Sequence, residues 1–150
     1  MIELMIICAI ISVLSALAIP SWLAYMPKLR AKTAVRAAVS TLREARSLAI
    51  TEKKQFGVYF DSNNKNFLLF ADLVNPGDGT YDTGDSLLTT TAFGSDVALG
   101  GSTLTGSTVV FDMNGAASQS GTVTFTTTDA QLRYVVDILA ATGRIKMTAG

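Results

Sequence analysis

The side chains that could carry chemistry in this chain are few. The 150 residues include no histidine and a single cysteine, Cys8, which lies in an apolar run. A Ser-His-Asp arrangement and an imidazole metal site are therefore excluded, and a thiol in such a run cannot serve as a nucleophile in a soluble domain. The sequence also lacks a P-loop and a dinucleotide-binding glycine motif. These observations predict a protein that is not an enzyme and that uses no cofactor.

A cluster of carboxylates on a glycine-rich stretch is the first candidate site. The segment from Asp72 to Asp85 also contains Asp78 and Asp82, among several glycines. Carboxylate oxygens are the ligands that Ca²⁺ prefers, so Asp78, Asp82 and Asp85 are possible metal ligands. The spacing is not that of an EF-hand, and Asp and Gly are also ordinary turn residues. A calcium site and a plain turn both remain open.

A pair of cations near the C-terminus is the second candidate site. Arg144 and Lys146 lie two residues apart in a predicted strand, so their side chains share one face and could meet successive phosphates of a nucleic acid. Lys65 and Arg133 could enlarge this basic patch. The alternative is a pair of solvated charges, because residues 55–150 carry nine acidic and only four basic residues.

A long uncharged run lies near the N-terminus, before the predicted β-strands. Residues 4–27 separate Glu3 from Lys28 without a single charge. A helix of that length spans roughly 36 Å, enough to cross the hydrocarbon core of a bilayer. A carboxylate at the N-terminal end of such a helix is energetically unfavourable within the membrane unless it has a partner. Residues 1–27 are therefore predicted to form a transmembrane segment, and residues 28–150 a single head domain.

The period of the apolar residues changes near residue 54. Apolar residues at steps of three and four predict that residues 28–54 continue the helix, with Pro20 and Pro27 as possible kinks. This apolar stripe comprises Val35, Ala38, Leu42, Ala45 and Ala49. Residues 55–150 alternate with a period of two between glycine-rich turns, which predicts an antiparallel β-sheet and an α+β fold. Strands are predicted at 56–60, 67–73, 86–92, 97–99, 108–112, 122–127, 132–138 and 144–147.

The stretch from Ile2 to Pro20, I-E-L-M-I-I-C-A-I-I-S-V-L-S-A-L-A-I-P, resembles the N-terminus of mature type IV pilins and type II secretion pseudopilins. That family begins F-T-x-I/V-E-L, which places Met1 on the x position and implies that a leader, cut by prepilin peptidase, has been trimmed or lies before a misassigned start codon. The resemblance implies assembly roles for Glu3 and Pro20. Glu3 would pair with the N-terminal amine, usually methylated, of a neighbouring subunit. The alternative is an interfacial Glu favoured by the helix dipole.

Five further segments are similar to the GspH/FimT branch of this family. They are Arg46–Ile50, Val109–Gly115, Gly121–Phe125, Arg133–Val136 and Thr142–Lys146. The resemblance implies a type IV pilin-like fold, with a long N-terminal helix packed on the β-sheet. It implies a non-enzymatic subunit of a type II secretion pseudopilus or a type IV pilus that supports protein secretion. The alternative is a FimT-like minor pilin that binds DNA for natural transformation, with Arg144 and Lys146 in the place of a G-R-x-R motif.

Two arguments disagree on topology. The cations just after the uncharged run, Lys28, Arg30, Lys32 and Arg36, would hold the C-terminal part in the cytoplasm by the positive-inside rule. The resemblance implies the opposite: a single pass through the bacterial inner membrane, a periplasmic head, and other pilin or pseudopilin subunits as partners. Residues 1–54 carry a net charge of +5 and residues 55–150 one of −5, which favours charge contacts between copies.

Overall fold

The computed structural model of the chain describes residues 2–129 and 132–150, although not the side chains of residues 17–21, 23 and 24. One helix, α1, runs from Ile2 to Glu52. It is followed by β1 (Phe56–Asp61), β2 (Asn66–Ala71), β3 (Ser86–Ala92), β4 (Val97–Ser102), β5 (Thr108–Phe111), β6 (Gly121–Thr127), β7 (Arg133–Leu139) and β8 (Arg144–Ala149). The predicted architecture, a long N-terminal helix packed against antiparallel strands, is confirmed.

The C-terminal half of α1 buries the predicted apolar stripe. All five of its residues are fully buried, and Ala31 extends the buried stripe by one turn toward the N-terminus. The small alanines let the helix approach the strands closely. The helix ends at Glu52, two residues earlier than predicted, because Lys53 adopts a left-handed φ of 55° that an α-helix cannot continue.

The eight predicted strands are all present, but they form two sheets. The first sheet has the order β3-β2-β1-β5, and the second has the order β4-β6-β7-β8. Every pairing is antiparallel. Helix α1 contacts strands of both sheets, so that the helix and the two sheets enclose one core.

Aromatic side chains join the two sheets at the centre of this core. Phe125 of β6 meets Phe60 of β1 edge-on, with 6.3 Å between ring centroids, and it meets Phe93 in the same way at 5.8 Å. Phe67 of β2 stacks on Phe93 at 6.4 Å. All four rings are buried. Edge-to-face contacts of this kind stabilise a core beyond the effect of buried area alone.

One strand end was predicted two residues too late. The predicted second strand reaches Leu73, but β2 ends at Ala71. The reason is that the backbone N–H groups of Leu73 and Val74 both donate to Oδ1 of Asp85, at 3.0 Å each. The side chain of Asp85 thus takes the place of a neighbouring strand as hydrogen-bond acceptor, and the chain turns away from the sheet.

Candidate functional site

Residues 2–14 of α1 present an exposed apolar surface. Its large apolar side chains are between 53% and 73% exposed: Ile2, Leu4, Met5, Ile6, Ile7, Ile10, Ile11, Val13 and Leu14. The head domain contacts none of this surface closely enough to bury it. An apolar patch of this length is far larger than those found at the surface of ordinary monomers, so it marks a site of contact with lipid or with other chains.

Glu3 lies in the first turn of α1 and is exposed. The carboxylate is favourably placed there because the helix N-terminus carries a partial positive charge. Pro20 lies within α1, but its side chain is not among those described, so its predicted role in assembly stays a prediction. Over the described part of the chain, no helical segment meets the length and hydropathy required of a membrane span.

The basic pair occupies an edge strand of the second sheet. Arg144 and Lys146 are both exposed on one face of β8, while Ile145 and Met147 pack against the core. The carboxylate of Asp137 lies directly across from Lys146 on β7 and reduces the positive charge of this face. The structure therefore brings the two predicted cations together, but beside an acid that sequence reasoning did not place there.

The two other cations belong to elements other than β8. Arg133 lies on the same face of the sheet, but four residues along β7 from Asp137, which is roughly 13 Å away. Lys65 belongs to the turn between β1 and β2 in the other sheet, where its Nζ donates to the carbonyl oxygen of Ser95 at 3.2 Å. The hydrogen bond of Lys65 is thus made to the loop between β3 and β4, and its part in a basic patch stays a prediction.

The carboxylates of the Asp72–Asp85 loop hold the loop's own backbone. Asp85 accepts from the N–H groups of Leu73, Val74 and Asp82, and Asp78 accepts from the N–H and hydroxyl of Thr80. Burial raises the pKa of Asp85, but its backbone donors outweigh burial and lower the pKa below its ordinary value. Among the described residues, no three acidic or cysteine side chains come together as a metal site. Of the predicted calcium ligands, Asp78 and Asp85 thus accept hydrogen bonds within the turn, and Asp82 takes part through its backbone N–H and carbonyl groups.

Asp72 differs from the other acids of this loop because it is buried. Its side chain is 2% exposed, and its Oδ2 accepts from the N–H of Gly77 at 3.3 Å. Burial raises the pKa of Asp72, and the nearby charges of Asp85, Asp78 and Asp82 raise it further, while the hydrogen bond from Gly77 opposes them. The charge of Asp72 is therefore unfavourable in the folded chain.

Sequence reasoning missed a junction at the C-terminal end of α1. Nε of Arg46 donates to the carbonyl oxygen of Gly115 at 2.9 Å, and Gly143 lies against the same carbonyl. A Cβ on Gly143 would lie 2.0 Å from that oxygen. The three residues belong to the segments Arg46–Ile50, Val109–Gly115 and Thr142–Lys146, so one packing contact joins three segments that are distant in the sequence.

A second missed contact ties the helix to the base of the head. The guanidinium of Arg30 forms an ion pair with the carboxylate of Asp96, in the loop between β3 and β4. The hydrogen bond from Arg30 lowers the pKa of Asp96, with a smaller effect from Ser95. The pair is 66 residues apart in the sequence, and the neighbouring residues of each give no signal of it.

A family model described as "Type II transport protein GspH" matches residues 34–142 of the chain. No curated protein sequence matches the chain. The matched segment begins within α1 and ends just before Gly143, so it spans most of the head domain.

Three solved structures with a similar fold illustrate the likeness. The minor pseudopilin EpsH from the type 2 secretion system of Vibrio cholerae superposes with a TM-score of 0.64 at 15% identity, over 80% of this chain and 97% of that one. The type IV minor pilin FimU of Pseudomonas aeruginosa gives a TM-score of 0.62 at 15% identity, over 84% and 96%. A second crystal form of FimU gives 0.58 at 17% identity, over 79% and 96%. At these identities the likeness shows the fold alone.

Proposed function

Because this chain belongs to the GspH family, we propose that it is a non-enzymatic subunit of a type II secretion pseudopilus or of a related type IV pilus. The family predicted from the N-terminal run and the C-terminal motifs is confirmed by the match over residues 34–142. The observation that carries the proposal is the exposed apolar surface of α1, joined without a linker to a packed head. Such a surface needs a covering that this chain does not itself provide.

The proposed cycle moves this surface between two apolar environments. Residues 1–27 rest in the bacterial inner membrane as a single pass, with the head of residues 28–150 in the periplasm. Leaving lipid for the core of a filament is tolerable because neighbouring helices are also apolar. Prepilin peptidase and N-terminal methylation would act on the precursor, and the partners in the filament are other pilin or pseudopilin subunits. The uncharged run and the family membership support this course.

In this proposal, Glu3 determines the axial position at which the subunit enters the filament. In the filament its carboxylate meets the N-terminal amine of a neighbour, where little water is present to solvate either charge. An unpaired charge at such a place costs about 2.5–3.5 kcal/mol, so correct pairing favours one insertion position over others. The same carboxylate is stabilised less in the membrane, where it lies at the N-terminal end of the helix near the interface.

We expect Glu3→Ala to lower incorporation into filaments by about tenfold or more, while membrane insertion stays unchanged, because only the assembled state contains the partner amine. Crosslinking of the full-length protein to its neighbours in cells would measure incorporation, and membrane fractionation would measure insertion. Glu52→Ala, at an exposed acid on the same helix, is the control and should behave as wild type. Equal crosslinking of Glu3→Ala and wild type would reject the role of Glu3.

A second function, DNA binding, rests on one observation: Arg144 and Lys146 are exposed on the same face of an edge strand. Two adjacent cations of this kind can neutralise successive phosphates. The carboxylate of Asp137 opposes this function, and Lys146 lacks the bidentate geometry of an arginine. This function would place the subunit in a pilus that takes up DNA.

A gel shift of the full-length protein in nonionic detergent tests this second function. If it is correct, DNA binding weakens as salt rises, and the double variant Arg144→Ala/Lys146→Ala lowers the slope of log affinity against log salt by about two. Lys53→Ala/Lys54→Ala removes the same charge from an exposed turn and should change the slope little. Absence of any shift at low salt would eliminate DNA binding, and it would leave the filament proposal untouched.

A further inference from the structure

The loop of residues 73–85 lies over the outer face of the first sheet, on the side away from α1. The ring of Tyr81 contacts Phe70 at 5.0 Å between centroids and stacks on Tyr59 at 5.7 Å. Phe70 can lie flat across β1 only because residue 57 is glycine: a Cβ there would be 2.4 Å from Cζ of Phe70. The loop is therefore docked on the sheet by aromatic contacts, and its two ends are the places where polar groups could release it.

Gln55 and Asp72 face each other at one of these ends. The β1–β2 ladder pairs Phe56 with Ala71, and the N–H of Asp72 donates to the carbonyl oxygen of Gln55 at 3.0 Å, which extends the ladder by one step. Directly opposite residues place their side chains on the same face of a sheet, with Cβ atoms roughly 5 Å apart. That face is the outer one, beneath the docked loop.

Both side chains carry a buried oxygen that has no hydrogen-bond partner. These atoms are Oε1 of Gln55 and Oδ1 of Asp72. A buried acceptor without a donor is costly, and two acceptors cannot satisfy each other while the carboxyl is ionised. A single added proton solves the problem for both atoms, because a protonated carboxyl donates one hydrogen bond.

We propose that Asp72 and Gln55 form a proton-binding site that fastens the loop of residues 73–85 to the first sheet. A proton taken from solvent sits on Oδ1 of Asp72 and is donated to Oε1 of Gln55. Oδ2 of the same carboxyl keeps its hydrogen bond from the N–H of Gly77, which belongs to the loop. The protonated side chain thus joins strand β1 to the loop, while the ionised one holds the loop alone.

The charged groups that act on the pKa of Asp72 are acidic and favour protonation of its carboxylate. From the loop, Asp78, Asp82 and Asp85 raise the pKa of Asp72, after the larger effect of burial. From the segment between β5 and β6, Asp112 lines a cavity of about 190 Å³ that Gln55 and Gly77 also line. Asp112 already accepts from the N–H groups of Asn114 and Ala116.

The loop should be held most tightly in mildly acidic solution. The pKa of Asp72 is raised above its ordinary value of 3.8 in the folded chain, so attachment strengthens as the pH falls toward 3.8 from above. The pKa of Asp85 is lowered below 3.8, so its hydrogen bonds to Leu73, Val74 and Asp82 are lost as the pH falls further. The two acids act in opposite directions, so attachment passes through a maximum in acidic solution.

Carboxyl ¹³C NMR and amide exchange on the full-length protein in detergent micelles test the site. Asp72 should titrate above 3.8. The protection factor of the loop amide of Asp82, which donates to Asp85 and not to Asp72, should rise about fivefold as the pH falls from 7 through the pKa of Asp72, as one added hydrogen bond predicts. In Asp72→Asn the amide can donate to Gln55 at every pH, so protection should be high and independent of pH. Asp78→Asn removes one charge from the same loop and should keep the pH dependence.

The direction in which the pKa of Asp72 changes when Gln55 is substituted decides whether the proposal is correct. Gln55→Met keeps the length of the side chain and removes the acceptor, so the pKa of Asp72 should fall. A rise would mean that the amide of Gln55 donates to an ionised Asp72, and no change would mean that the two groups do not interact. Either result would overturn the proposal, as would weaker protection in Asp72→Asn than in wild type at pH 7.

Discussion

Gly143→Ala should lower the free energy of unfolding of the head by about 2–5 kcal/mol. Gly143 has a left-handed backbone with φ of 58°, which costs an L-residue about 1–2 kcal/mol. The new Cβ would also lie 2.0 Å from the carbonyl oxygen of Gly115, so that carbonyl must move and its hydrogen bond from Arg46 must lengthen. Urea unfolding of the full-length protein in detergent, followed by near-ultraviolet circular dichroism, measures the loss.

Gly94→Ala is the matched control for this experiment. Gly94 is also left-handed, with φ of 76°, but a Cβ there meets no atom within 4 Å. Its substitution should therefore lower the free energy of unfolding only through the left-handed backbone conformation, by about 1–2 kcal/mol. If the two variants lost the same stability, the contact between Gly143 and Gly115 would contribute nothing beyond backbone strain.

Phe125→Ala should cost about 3–5 kcal/mol of unfolding free energy, since it opens a cavity where the two sheets meet. The ring is fully buried and contacts Phe60 and Phe93 edge-on. The same denaturation measurement applies, and the near-ultraviolet spectrum should weaken because neighbouring rings lose their fixed packing.

Phe125→Leu tests whether the loss comes from volume. Leucine fills much of the space of the ring but makes no edge-on contact, so the loss should fall to about 1–2 kcal/mol. Leu87→Ala, at a side chain 47% exposed on β3, should change stability by less than about 0.5 kcal/mol. A Phe125→Ala variant as stable as Leu87→Ala would mean that Phe125 does not join the sheets.

Periodicity predicted the secondary structure well because burial imposes it. The helix must bury one stripe, so Val35, Leu42 and Ala49 recur on one face and are found there. The strands must bury one face, so Phe56, Val58 and Phe60 alternate with residues on the other face and point into the core. The same reasoning placed Arg144 and Lys146 on one face of the last strand.

Contacts between distant segments could not be predicted in this way. The division of the strands into two sheets depends on which strands pair, and an alternating pattern is the same in one sheet as in two. The Arg30–Asp96 ion pair and the bond from Arg46 to Gly115 join residues 66 and 69 positions apart. The acidic loop resembled a metal site because its spacing does not reveal that Asp85 accepts from three backbone groups.

The apolar N-terminal segment of α1 and the head share one helix, so the side of that segment that lies below the head is fixed. Five turns of an α-helix contain 18 residues, so Val13 stands on the same side as Ala31, beneath the overhanging head. Leu4 and Trp22 are separated from Ala31 by about seven and a half and about two and a half turns, which sets them on the opposite side. A neighbouring helix that contacts Leu4 and Trp22 therefore lies on the side opposite the head.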